Sequence, residues 1–138
     1  MKETLSYQIL SLYRDFLGYT RKEFDAIGLS FGQMPLILYV GTHPGCTHAD
    51  LTKALQLDWG YSQRTVAKLS ENGFLSKQRR PDRSGSSLTL TKAGENAFGI
   101  CHGVFSSWDT THSGNMTQEE AHTLLILLQK LAAEPEES

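Results

Sequence analysis

Residues 58–91, DWGYSQRTVAKLSENGFLSKQRRPDRSGSSLTLT, constrain this chain more than any other stretch. Asp58 is of the right type to cap a helix, since its short carboxylate can accept from the free N–H groups of the first turn. Val66 and Leu69, three positions apart, read as that helix's core-facing side. Asn72-Gly73 ends it, because glycine enters the left-handed conformation in which helices stop. Phe74, Leu75 and residues 87–90 then read as two short strands. Between them, Arg80-Pro81-Asp82-Arg83-Ser84-Gly85 is dense in turn formers. A helix, a glycine stop and a hairpin in this order admit few folds.

The charge of this stretch differs from its surroundings. Between positions 61 and 94 stand seven basic residues (Arg64, Lys68, Lys77, Arg79, Arg80, Arg83, Lys92) and two acidic ones (Glu71, Asp82), a local net of +5. The whole chain carries −2, so the remainder sums to −7. A basic island on an acidic protein attracts phosphates locally whatever the total charge. The plain alternative is a solvated charged surface.

The 138 residues suit one domain with a real core. No apolar run reaches the ~18–20 residues of a membrane span. The first residues, MKETLSYQIL, lack the layout of a signal peptide. Two cysteines make no disulfide framework. The expectation is a cytoplasmic protein without membrane contact.

The flanking segments read as helices. Leu5, Ile9, Leu12, Phe16 and Tyr19 recur at helical steps, and Gly28 is the expected stop. Ser30 with Gln33 fits a capping box, and Leu29 with Met34 fits the hydrophobic staple around it. Leu36, Ile37, Tyr39 and Val40 continue that helix, with Pro35 expected in its second turn, where it would bend the axis. After His43-Pro44-Gly45, Thr47 with Asp50 opens a short helix carrying Leu51, Ala54 and Leu55. That helix and the one after Asp58 form a helix-turn-helix, and the hairpin behind them makes it a winged helix.

Thr91 opens a long helix whose core stripe reads as Phe98, Cys101, Phe105 and Trp108, with a loop expected over 110–115. Gly94, Gly99 and Gly103 each cost it about 1 kcal/mol relative to alanine, a cost that close approach of a neighbour would explain. Thr117 with Glu120 caps the last helix. It carries Leu124, Leu125, Ile126, Leu127, Leu128 and Leu131 on more than one face, which calls for a covering partner. The fold expected is therefore mostly α with a small β-hairpin wing. Residues 1–29 and 92–138 make a helical dimerisation part, and 30–91 a winged helix-turn-helix.

The order of these elements resembles the MarR family of bacterial transcriptional regulators over nearly the whole chain. The residues that carry the resemblance are Leu29-Ser30-x-x-Gln33, Asp50-Leu51, Arg64-x-Val66-x-x-Leu69-x-x-x-Gly73, Asp82-Arg83 and Leu90-Thr91-x-x-Gly94. No single piece is specific; the ordered set is. The chain departs from the family pattern at Ser84, where a second wing cation is usual, in a first wing strand about one residue short, and in Trp59-Gly60-Tyr61 at the helix start. The resemblance implies an obligate homodimer binding a pseudo-palindromic operator, released or retuned by a small ligand, metal or oxidant. An enzyme would need a nucleophile–base pair or a metal triad, and the five histidines have no partner pattern, so no catalytic residue or cofactor is expected.

Residue chemistry then distributes roles. Arg64 and Gln63 have the reach for base edges, arginine for guanine and glutamine for adenine, at roughly 1–3 kcal/mol of discrimination per good bidentate pair. Tyr61, Ser62 and Lys68 suit phosphate contacts, which position without specifying. Arg79, Arg80 and Arg83 form a basic wing, with Arg80 and Arg83 expected at its tip and directed to the minor groove. In the resembled family the wing aspartate, here Asp82, pairs with its arginine to hold the wing, which leaves Arg83 either a DNA contact or a structural residue. Trp59 is expected to pack the helix start.

The sensing chemistry stays open among three readings. An aromatic or lipophilic effector would be lined by Tyr13, Phe16, Tyr39, His43, Phe98, His102 and Phe105. His43, Cys46 and His48 are metal-ligand types, yet their spacing matches no standard zinc pattern. Cys46 or Cys101 would serve as a redox sensor only with a lowered thiol pKa. Outside this class stands a winged helix used for protein contacts alone, for which Arg79, Arg80 and Arg83 together would be superfluous.

Overall fold

The computed structural model describes residues 1–82 and 85–135. Its elements are α1 (Leu5–Asp25), a 3-10 turn (Phe31–Gln33), α2 (Met34–Thr42), β1 (Cys46–Thr47), α3 (His48–Ala54), α4 (Trp59–Glu71), β2 (Leu75–Arg79), β3 (Ser86–Leu90), α5 (Lys92–His112), a second 3-10 turn (Ser113–Asn115) and α6 (Gln118–Ala132). Two compact units divide the chain, Met1–Phe105 and Ser106–Ser138.

The caps fall where residue types place them. Ser30 and Gln33 close a capping box, the Ser30 N–H donating to Gln33 Oε1 at 2.9 Å. The box opens the 3-10 turn rather than α2 itself. This corrects the expectation for Pro35: it stands in the first turn of α2, where the missing N–H has no helical partner to lose, so it starts the helix instead of bending it. Thr47 with Asp50 and Thr117 with Glu120 form the other two boxes. Gly28 and Gly73 take φ values of +72° and +83° beyond α1 and α4.

The first unit holds a continuous apolar core. Phe24, Leu29 and Met34 meet Leu36, Ile37 and Val40 of α2, Leu51 of α3, Val66 and Leu69 of α4, and Phe74, Leu75 and Leu88 around the sheet. α5 buries Gly94, Ala97, Cys101 and Val104. That stripe is shifted from the one expected: Phe98 is only half-buried, and Phe105 is exposed. The helix also continues to His112, through residues expected to form a loop.

The sheet has order β1-β3-β2 and is antiparallel throughout. β2 and β3 pair Leu75 with Leu90 through Arg79 with Ser86, so β2 is a five-residue strand, longer than expected. The short β1 pairs Cys46 with Leu88 and joins the α2–α3 connection to the wing. Arg83, Ser84 and residues 136–138 lie outside the described residues.

The second unit contains the end of α5, the second 3-10 turn and α6. No α6 residue is buried, and Leu124, Leu125, Ile126, Leu127, Leu128 and Leu131 are 40–54% exposed.

Candidate nucleic-acid interface

α3 and α4 are joined by a tight turn in which Gln56, the one described non-glycine residue with positive φ, stands at +52°. The Leu57 N–H donates to the Thr52 carbonyl at 3.0 Å, fixing the chain reversal. Asp58 then caps α4, its Oδ2 accepting from the Tyr61 N–H at 3.0 Å. Helical spacing divides α4 into two sides. Ser62, Val66 and Leu69 are buried, while Gln63, Arg64 and Lys68 are exposed on the other side. Gly60 leaves room beside the Arg64 side chain: a Cβ there would stand 3.2 Å from Arg64 Nη1.

Ser62 corrects an expectation. Its side chain is fully buried, with Oγ 2.6 Å from Thr52 Oγ1 and 3.0 Å from His48 Nε2. A hydroxyl so enclosed cannot reach a phosphate; it pins α4 to α3. Tyr61 is 40% exposed, and its hydroxyl reaches toward Gly32, where a Cβ would be 3.0 Å away. Trp59 stays 49% exposed rather than packing into the core, and stacks on the His48 ring with centroids 4.5 Å apart and planes at 21°.

The wing carries its cations differently from one another. Lys77 and Arg79 are exposed on β2. Arg80 is half-buried; its Nη2 donates to the Gly45 carbonyl at 3.2 Å, and its N–H to the Gly85 carbonyl at 3.0 Å. Arg80, expected at the wing tip, therefore stands at the base of the turn and ties the wing to the α2–α3 connection. Asp82 is exposed in the turn.

The metal-ligand types diverge. His43 stacks on Tyr39 at 4.2 Å and its Nδ1 lies 3.1 Å from the Tyr39 carbonyl, His48 faces Ser62 and Trp59, and Cys46 is buried in β1. Among the described residues no three His, Cys, Asp or Glu side chains converge as metal ligands. Burial raises the Cys46 thiol pKa and pushes that of Cys101 up to about 11, away from the reactive thiolate.

The aromatic residues expected to line an effector site fall into separate groups. Tyr13 and Phe16 meet Phe31 edge-on at 6.2 and 6.1 Å, and Phe16 lies 5.3 Å from Phe105. Phe98 lies tilted beside His102 at 4.7 Å and covers Gly41, where a Cβ would stand 2.2 Å from the Phe98 ring. Phe31 was not foreseen; its place right after the Ser30 cap was the available signal. His48 and Thr52 were also missed as partners of α4, because their pairing with Ser62 is a tertiary contact.

A helix-turn-helix whose second helix exposes Gln63, Arg64 and Lys68, followed by a basic two-stranded wing, defines the winged helix-turn-helix class. No protein-family model matches the chain. It is 35% identical over 132 residues to the HTH-type transcriptional regulator BilQ of Clostridium symbiosum, covering 95% of this chain and 92% of the relative. A MarR protein of Peptoclostridium difficile superposes with a TM-score of 0.80 at 20% identity, over 96% of this chain and 87% of the other. A MarR family regulator of Listeria monocytogenes, crystallised with a 26mer DNA, superposes with a TM-score of 0.77 at 18% identity, over 94% and 87%. The chain belongs to the MarR family of winged helix-turn-helix transcriptional regulators. No helix among the described residues is long and apolar enough to cross a membrane.

Proposed function

We propose that the chain is a homodimeric, ligand-responsive repressor that binds double-stranded DNA at a pseudo-palindromic operator through α4. The observation that carries this reading is the exposed Gln63, Arg64 and Lys68 side of a helix pinned from behind by Ser62, Val66 and Leu69. A reading helix needs both properties, since exposed donors discriminate bases only when the backbone beneath them is fixed. Arg64 and Gln63 take base edges, while Lys68 and Tyr61 take phosphates. Arg79 contacts the backbone from the wing, and Arg80 sets the wing's position. Two copies related by a two-fold axis would read two half-sites. A lipophilic effector is preferred because the buried thiols, and histidines that converge on no metal site among the described residues, give little to a redox or metal sensor.

The test is a titration of the duplex upstream of the chain's own gene, at two salt concentrations, with a scrambled duplex as control. Arg64→Ala is expected to lose the preference for the upstream duplex. Arg79→Ala lowers the slope of log affinity against log salt by roughly 1 per protomer. Arg80→Ala weakens binding with that slope unchanged, because its guanidinium is spent on Gly45. Wild-type discrimination in Arg64→Ala would remove α4 as the reading element. Equal binding to both duplexes without salt dependence would favour a protein-contact role for the winged helix.

A further inference from the structure

Trp59 is the first residue of α4, and 49% of it is exposed, although tryptophan is among the costliest side chains to leave in water. It is nevertheless held in place. Its indole stacks on His48, whose Nε2 lies 3.0 Å from Ser62 Oγ. Ser62 Oγ lies 2.6 Å from Thr52 Oγ1, which donates to the His48 carbonyl at 2.7 Å. The ring thus rests on an imidazole that is itself anchored by polar contacts, while about half of the residue stays exposed. Helical spacing puts Trp59 in line with Gln63, one turn on, and next to the stripe of Gly60, Arg64 and Lys68. The ammonium of Lys77 on β2 lies close enough for its charge to act on His48. A rigid apolar plate among exposed cations fits a ligand that alternates apolar sugar or base faces with phosphates.

Resting on the assignment of α4 as the DNA-reading helix, we infer that Trp59 is itself a DNA-contacting residue. Its exposed indole face seats against the sugar-phosphate backbone beside the groove that α4 enters, with the indole N–H free to donate to a phosphate oxygen. His48 is a positioning residue: it touches no DNA and acts by holding the ring at the angle the backbone requires. Because it is pre-ordered, the ring loses little side-chain freedom on binding.

The chain has two tryptophans, so Trp108→Phe leaves Trp59 as the only indole. In that variant, binding of a labelled upstream duplex and Trp59 emission are followed in one titration, with acrylamide as collisional quencher. The expected result is that emission changes and quenching by acrylamide falls in step with duplex binding. Duplex binding with unchanged emission and unchanged quenching overturns the inference and leaves α4 standing as the reading helix. Failure to bind the duplex at all, in a chain whose thermal melt matches the wild type, overturns both.

Substitution then separates contact from positioning. Trp59→Ala is expected to weaken duplex binding roughly tenfold, the scale of a lost aromatic contact to nucleic acid. His48→Ala weakens it less, and in the Trp108→Phe background it makes Trp59 more accessible to acrylamide without DNA. The double variant Trp59→Ala, His48→Ala binds no worse than Trp59→Ala alone, since Thr52 still holds Ser62 and His48 acts on DNA through the ring. Additive losses would show His48 acting by another route and would overturn its positioning role.

Discussion

Ser62 and Arg64 stand two positions apart on α4, and the helix turns them to opposite sides, one fully buried and one exposed. Beside Ser62, His48 carries a pH dependence with a definite sign. Burial, and then the charge of Lys77, lower its pKa from the ordinary 6.5, while the hydrogen bond with Ser62 works the other way. Between the lowered folded value and 6.5 the unfolded chain binds more protons than the folded one, so stability rises with pH there. The contribution is whole above 6.5 and is lost as pH falls through the folded value. Thermal melts between about pH 7.5 and 5 should therefore show the wild type losing more stability than His48→Gln. Equal losses would mean that His48 protonates as freely in the fold as outside it. The side that Ser62 faces was legible in the sequence, since Ser62, Val66 and Leu69 follow one helical stripe. Residue type suggested phosphate and outweighed that spacing. The exposure of Arg64 and Gln63 was legible too, since both fall in the early turns of a helix whose start Asp58 marks.

At the scale of elements, the join between the wing and α5 depends on one glycine. Thr91 Oγ1 donates to the Gly73 carbonyl and accepts from the Gly94 N–H at 3.0 Å, and the Thr91 N–H donates to the Phe74 carbonyl at 3.1 Å. These bonds bring the first turn of α5 so close that a Cβ on Gly94 would fall 2.0 Å from the Phe74 carbonyl oxygen. Backbone cannot give way as a side-chain tip can, so Gly94→Ala should lose roughly 1–3 kcal/mol of stability. Gly99 has nothing within 4 Å of its would-be Cβ, and Gly99→Ala should gain up to about 1 kcal/mol from helix propensity alone. Urea unfolding of the pair measures both; a Gly94→Ala chain as stable as the wild type would dismiss the close approach. The sequence suggested this reason for three glycines, and it holds for Gly94, while Gly99 and Gly103 have open space. Elements whose ends are marked by local chemistry, such as the capping boxes at Thr47 and Thr117, were legible. β1 was not, because two residues carry no periodicity and only pairing with β3 makes them a strand.

For the molecule as a whole, the question is what covers the leucines of α6. The helix has no buried residue, and six of its large apolar side chains are 40–54% exposed. α1 separately leaves Leu5, Ile9, Leu10, Leu12 and Tyr13 at 46–69%. Removing the exposed half of a leucine from water is worth about 1 kcal/mol, so several such residues covered at once would suffice to hold a subunit partner. This reading was available from the leucine run alone, since large apolar residues on more than one face of a helix in a small chain call for a covering partner. The effector stayed illegible for a related reason: Phe16, Phe31 and Phe98 pack against the core as any aromatic would, and ring contacts do not distinguish filler from a binding surface. If a second copy covers α6, thermal unfolding should shift upward with protein concentration, since association stabilises by mass action. Leu128→Glu should abolish that shift, because each copy would bring a carboxylate into the contact. Sedimentation should then give a dimer for the wild type and a monomer for Leu128→Glu. The variant should also lose affinity for a two-half-site duplex far more than for a single half-site, because only the dimer couples the two contacts. A wild-type chain that sediments as a monomer at all concentrations would exclude the homodimer and leave those leucines to a different partner.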